Sequence, residues 1–398
     1  LNGIESSVFF VKNATNMKLP FSNTQKQLLE WFRTVKLGLT PDRTVEIQQY
    51  PFVSTPVDEV SQNNPEARQQ DAAILENRCF NYTVFSPVGS QPFQSAILLL
   101  HGLNERNWDK YLSWASYLAE TCQRPVVLFP IAYHINRAPV SWSDPRVMRD
   151  WMRKRQSETG AERSLSFANV ALSERLSHDP YRFYRSGRQT LEDIRVLARQ
   201  LSAGNHTLFT PGATFDIFAY SIGAFLAEIL LMSDTEGQFA KSRLFVFCGG
   251  SIFKSMFGTS RSIMDQPAYE RLFQFYCYDW FKRLPEALDR GEIQMDASLK
   301  AFNAMIDPSF HREEREAFFD SARNRLSGIA LQKDRVMPFT GIEACMGEYN
   351  AEACFEQLDF PFMYTHEAPF PLQPSGVNEP VDKAFQYVFQ RATHFLAG

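Results

Sequence analysis

An α/β fold, with a mostly parallel central sheet flanked by helices, is predicted by three observations. From Cys79 onward, short apolar runs alternate with segments of helical periodicity. Two of those runs, Ala96–Leu100 and Pro125–Phe129, are apolar throughout, as strands covered on both faces must be. A third, Phe215–Tyr220, leads directly into Ser221 and then into Phe225–Met232, a stretch of good helix formers without proline.

The elements follow in chain order. Residues 1–75 read as an N-terminal extension, in which Ser22 or Asn23 caps a helix through Gln27–Lys36 and Gly38 ends it. Beyond that helix the chain turns polar and irregular. Val53–Gln70, with Pro56, Pro65 and many Gln and Asn residues, reads as a loop or wrapped arm. Phe80–Phe85 alternates in polarity as a strand does, and Trp108–Ala119 has helical spacing. Further strands are expected at Phe215–Tyr220, Leu244–Cys248, Gly328–Leu331 and Phe360–Tyr364, with helices at Gln189–Leu201 and Pro380–Leu396. Two stretches break the alternation. Residues 140–185 carry Arg146, Arg149, Arg153, Arg155, Arg163 and Arg175 among acids, which reads as a solvated face. Residues 252–324 are helix-like and aromatic, and read as a helical cap over a site or as a helical subdomain that extends the core. The expected division is an extension (1–75), a first core part (76–251), the cap (252–324) and a last core part (325–398).

Composition excludes several classes of function. A net charge of -4 over 398 residues leaves no basic footprint, so no nucleic-acid partner is expected. The longest apolar runs fall far short of the roughly 20 residues that a membrane-spanning helix needs. Leu1–Glu5 shows no basic segment leading into an apolar one, and a cytoplasmic protein is expected. The six cysteines are scattered, without a C-x-x-C pair or histidines at zinc spacing, and read as free thiols with no metal. Phenylalanine reaches 35 residues, which points to an aromatic core.

The segment around Ser221 carries the chemistry. A serine at a sharp strand-to-helix turn demands small residues two positions to either side, and Ala219 and Gly223 meet that limit. Its hydroxyl needs a base, and the base needs an orienting acid. Only His311, His366 and His394 follow Ser221; the first sits in a charged helical segment and the last near the end of the C-terminal helix. His366, just past an expected strand, is the candidate base, because ligand and catalytic groups of open α/β sheets gather at the strands' carboxyl ends. Asp334, past the Gly328–Leu331 strand, is the candidate acid. Asp265 is the weaker alternative, and Asp359 is set aside because one intervening strand would hold it roughly 20 Å from His366. Oxyanion donors are expected from the backbone of Ile222 and of Leu103, in the loop after Leu98–Leu100, with His101 supporting that loop. Asn104 and Tyr220 are the expected substrate-binding neighbours.

Taken together, Leu100-His101-Gly102, Ala219-Tyr220-Ser221-Ile222-Gly223, Asp334-Arg335-Val336-Met337-Pro338 and Thr365-His366-Glu367 resemble the α/β-hydrolase superfamily, over about residues 80–398. The resemblance implies an eight-stranded sheet, a Ser221-Asp334-His366 triad, esterase- or lipase-like hydrolysis of a small-molecule acyl substrate, and no metal or organic cofactor. An acyltransferase would use the same residues, and a ligand-binding or interaction protein is the non-catalytic alternative. Two features depart from the family pattern. Ala219 replaces the first elbow glycine, and Pro130–Pro139 stands where many relatives carry an Asp-x-x-Gly-x-Gly loop. The second departure sets the chain apart from the well-studied subfamilies, and the chain as a whole looks like a bacterial branch.

Overall fold

The computed structural model describes residues 19–55, 64–89, 92–160, 163–291, 293–373 and 376–398. The expectations for Leu1–Glu5 and for residues 56–63 lie outside those residues; the rest of the expected Val53–Gln70 loop is in part helical, since Pro65–Ala72 is a helix whose N-cap Asn64 accepts from the Ala67 amide. Nine strands form one sheet: β1 (Gly38–Leu39), β2 (Val45–Val53), β3 (Cys79–Pro87), β4 (Phe93–Leu100), β5 (Val126–Leu128), β6 (Phe209–Tyr220), β7 (Leu244–Phe247), β8 (Leu326–Leu331) and β9 (Phe355–Leu358). Their spatial order is β1-β2-β3-β5-β4-β6-β7-β8-β9. The first three strands and the β3–β5 pairing are antiparallel, whereas β5, β4, β6, β7, β8 and β9 run parallel. This is the α/β-hydrolase fold, with nine strands where the family resemblance implied eight.

The strand period of two sorts side chains into two cores. On β4, Ala96, Leu98 and Leu100 face one core while Ile97 and Leu99 face the other. On β6, Phe215, Ile217 and Ala219 face the first, and Phe218 and Tyr220 the second. Helices Tyr181–Ser202 and Ile222–Met232 cover the first core, and Leu112–Cys122 and Glu379–Ala397 the second. Many of the phenylalanines serve the cores, as in the stack of Phe218 on Phe389 at 5.4 Å. All six cysteines are unbridged.

Two strands of the expected N-terminal extension, β1 and β2, are part of this sheet. β2 pairs with β3 along its whole length, Val45 opposite Pro87 through Val53 opposite Cys79. The signal was present: Val45 and Ile47 are wholly buried, two residues apart, in a segment whose Gln and Glu residues masked the alternation. Pro51 has no amide to donate, and it lies in the stretch of β2 that β1 does not reach, since β1 pairs only with Glu46 and Ile47. The first helix runs Phe21–Thr34, and Ser22 caps nothing; its amide and hydroxyl both donate to Asp382 of the C-terminal helix, at 2.7 and 3.0 Å. Phe21 stacks on Phe385 at 4.1 Å, so the segment is docked by aromatic contact as well.

Both interrupting stretches are helical, and they pack on each other. Pro145–Thr159 and Val170–His178 come from the first, and Gln266–Gln274, Trp280–Asp289, Ala297–Ala304 and Arg312–Ala322 from the second. The expected solvated arginine face holds for Arg146, Arg149, Arg153 and Arg163, which are exposed, and fails for Arg155 and Arg175. Arg155 forks onto the fully buried Asp265, and Arg175 reaches Asp71 at 3.0 Å. Tyr276, Trp280 and Phe302 of the second stretch join the first core, so this layer extends the core as well as lying over the sheet's edge. Among the described residues no helix is long and apolar enough to cross a membrane.

Candidate active site

Loops from the carboxyl ends of β4, β6, β8 and β9 meet at one point. Ser221 follows β6 at φ 58° and ψ -126°, a left-handed conformation rare for a non-glycine residue. The turn is closed so tightly that a Cβ on Gly223 would stand 2.6 Å from the Leu100 carbonyl oxygen. The small-residue requirement thus has a specific cause, which is the backbone of β4 behind the elbow.

Ser221 Oγ lies 2.6 Å from His366 Nε2, and His366 Nδ1 lies 2.7 Å from Asp334 Oδ2. Since the carboxylate can only accept, Nδ1 carries the proton and Nε2 is left to accept from the hydroxyl. Asp334 Oδ1 is held in turn by the amides of Val336 and Met337, each at 2.9 Å. All three side chains are buried. A hydroxyl bonded to an oriented neutral imidazole can lose its proton to that imidazole as it attacks an electrophile.

The route to this geometry differs from the expected one. The last strand is Phe355–Leu358, not Phe360–Tyr364, and His366 arrives on an irregular segment eight residues past its end. The strand-length argument against Asp359 therefore falls. Asp359 is engaged elsewhere, with Lys333 at 2.8 Å and the Tyr364 hydroxyl at 3.0 Å. Asp265 is spent on Arg155 and on capping Ala268 at 3.0 Å. His311 bonds Glu314 on the surface, and His394 is an exposed residue of the C-terminal helix.

Two further residues, expected beside the substrate, have protein partners of their own. Tyr220 lies in the second core beneath His366, with ring centroids 5.6 Å apart and planes within 19°, and its hydroxyl donates to the His366 carbonyl. It steadies the histidine and walls neither cavity described below. Asn104, at φ 62°, donates from Nδ2 to the carbonyls of Ala168 and Ser262, both at 2.7 Å. It ties the β4 loop to both inserted stretches and walls the larger cavity. The sequence reading expected His101 to support that loop and missed Tyr111 and Lys110. Tyr111 accepts from the Gly102 amide at 2.9 Å and donates to Glu105 at 2.8 Å, and Lys110 sits 4.8 Å over the Tyr220 ring. His101 accepts from the Ile131 amide at 2.9 Å and meets the Gly102 carbonyl through Nδ1, with its imidazole pushed down to about 4 by burial.

Leu103 and Ile222 wall a common apolar cavity of about 50 Å³, together with Phe183, Phe225, Ile229 and Phe302. Among the described residues, neither amide has a hydrogen-bond acceptor. A second cavity of about 330 Å³ adjoins it through Leu103, His134, Phe183 and Ser186, and carries Glu105, Arg106, Tyr133 and Trp142 on its walls. No group of three or more His, Cys, Asp or Glu side chains among the described residues is placed to hold a metal ion.

No curated protein matches the chain significantly in sequence. Among solved structures it is similar to a bacterial heroin esterase (10% identity, 94% of this chain and 90% of that one, TM-score 0.45). It is also similar to the esterase LipW from Mycobacterium marinum (11%, 94% and 86%, TM-score 0.40) and to an esterase of Pyrobaculum calidifontis (10%, 94% and 92%, TM-score 0.40). One family model spans nearly the entire described site and sheet, matching residues 15–397, and the chain belongs to that family, the family of unknown function DUF6051.

Proposed function

We propose that the protein is a serine hydrolase that cleaves carboxylic esters of small molecules through an acyl-enzyme. The observation that carries this reading is the buried relay from Ser221 Oγ to His366 Nε2 at 2.6 Å and from His366 Nδ1 to Asp334 Oδ2 at 2.7 Å. Ser221 Oγ attacks the ester carbonyl carbon while its proton passes to His366, and Asp334 steadies the imidazolium. The negative charge that develops on the carbonyl oxygen is met by the amides of Ile222 and Leu103, both on the wall of the apolar cavity. Collapse breaks the bond to the alcohol oxygen, which takes the proton from His366. Water then attacks the acyl-serine, giving its proton to His366, and the acid leaves as the serine is restored.

A fluorophosphonate probe tests the assignment. The wild-type protein is expected to label and to lose ester cleavage in step with labelling, while Ser221→Ala does not label and His366→Ala labels at least about a hundredfold more slowly. Undiminished labelling of Ser221→Ala overturns it.

A further inference from the structure

The loop after β5, Pro130–Pro139, is the segment where the chain departs from the family pattern, and its backbone is strained. Tyr133 and Ile135 stand at φ 65° and 52°, a costly conformation above all for a β-branched residue. Bonds from outside the loop hold it there. The Ala132 amide donates to Thr190 Oγ1 at 2.9 Å, that of Tyr133 to Asn77 Oδ1 at 3.1 Å, and that of Ile135 to the Glu105 carbonyl at 3.2 Å. Arg137, wholly buried, clamps the far end through Asp193 at 2.8 Å and the Pro130 carbonyl at 3.2 Å.

What the strained pair holds between them is His134. It lines both cavities and is only 6% exposed. Nδ1 lies 2.9 Å from the Ala132 carbonyl, so that nitrogen bears the proton and Nε2 the lone pair. Nε2 is buried and has no hydrogen-bond partner among the described residues. Leaving such an acceptor unmet is destabilising, and an apolar ring would avoid the cost. The Ala132 carbonyl does not need the imidazole either, because Ser186 Oγ already donates to it at 2.9 Å. Burial, with His101 beside it, pushes the imidazole down to about 3, so the ring stays neutral and its free nitrogen remains an acceptor.

We propose that His134 determines specificity: its Nε2 accepts a hydrogen bond from a hydroxyl or N–H of the acyl substrate where the two cavities meet. The inference rests on the serine-hydrolase reading above, and it narrows the substrate to esters that pair a small apolar group, sized to the cavity of about 50 Å³, with a donor close to the scissile carbonyl. A site that leaves a buried acceptor unpaired when the donor is missing discriminates strongly against the analogue without it.

The test uses two matched pairs of esters: p-nitrophenyl 3-hydroxybutyrate against p-nitrophenyl butyrate, for a donor on the acyl side, and glycerol monobutyrate against propyl butyrate, for a donor on the alcohol side. The full-length protein is expected to favour the hydroxylated member of at least one pair about tenfold or more in kcat/KM. His134→Phe is expected to bring that ratio close to one, and His134→Gln, whose amide oxygen can accept, to restore part of it. Thermal melts of both variants establish that the compared proteins are folded. Equal rates within both pairs for the wild type, or a preference that survives in His134→Phe, overturns the inference while leaving the hydrolase reading standing. A wild type that cleaves none of the four esters and takes no fluorophosphonate overturns both.

Discussion

Ser221, His366 and Asp334 meet although they are separated by 145 and 32 positions, and each is held by a different kind of constraint. The serine is fixed by its own backbone turn, the aspartate by two amides, and the histidine by what lies under it. Tyr220 supplies that support, through ring stacking and the bond from its hydroxyl to the His366 carbonyl. Tyr220→Phe keeps the stack and removes the bond. Under the proposed mechanism kcat is expected to fall about fivefold, in line with the roughly 1 kcal/mol that such a bond contributes, while KM changes little. Steady-state kinetics on one ester check the split, and a change confined to KM would assign Tyr220 to substrate binding instead. At this scale the residue types and their chain order were legible in the sequence, because nucleophile, acid and base each need a distinct side chain. The work of Tyr220 and Asn104 was not. A tyrosine beside the nucleophile reads equally well as a substrate contact until the side of the sheet it faces is known.

Among the elements, the two inserted helical stretches depend on a buried ion pair. Arg155 of Pro145–Thr159 forks onto Asp265, which also caps Gln266–Gln274, and the Ser173 hydroxyl accepts from the Asp265 amide at 2.9 Å. Two consecutive helices of the first stretch are thereby pinned to one of the second. Arg155→Ala leaves the Asp265 carboxylate buried without its cation, and a loss of about 3–5 kcal/mol is expected, read as a lowered urea midpoint. A shift under 1 kcal/mol would mean that the pair does not bind the layer. The charge pattern could not announce this pairing. Arginines spaced along a polar helix look solvated unless the partner helix, here more than a hundred residues away, is known. Strand boundaries failed for a related reason: Phe360, Phe362 and Tyr364 have the alternation of a strand, yet they spend it on one another and on the second core, with Phe360 and Phe362 stacked at 5.2 Å.

For the molecule as a whole, Glu228 couples stability to pH above 4.5. Glu228 lies on the helix after Ser221, fully buried, and neither carboxyl oxygen has a hydrogen-bond partner among the described residues. Burial pushes its carboxyl up to about 8 from an ordinary 4.5. Folded and unfolded chains are both protonated there below pH 4.5, so its contribution is unaffected in acid. As pH rises from 4.5 to 8 the unfolded chain ionises while the folded one resists, and stability falls by up to about 1.4 kcal/mol per pH unit before levelling off. Glu228→Gln is expected to melt several degrees higher than wild type at pH 8, with a much smaller difference at pH 5. Equal melting temperatures at pH 8 would show that the carboxyl is solvated.

The sequence by itself determined the fold class, the elbow and the identity of the side chains now found together, because these follow from local rules: alternation, helix spacing, the small residues a sharp turn requires. It did not determine that Val45–Val53 completes the sheet, that Arg155 is spent inside, that Tyr220 faces the core, or that His134 stands with an unmet nitrogen between two cavities. Those depend on which distant segments come to lie against each residue, and burial and hydrogen bonding are properties of that arrangement alone.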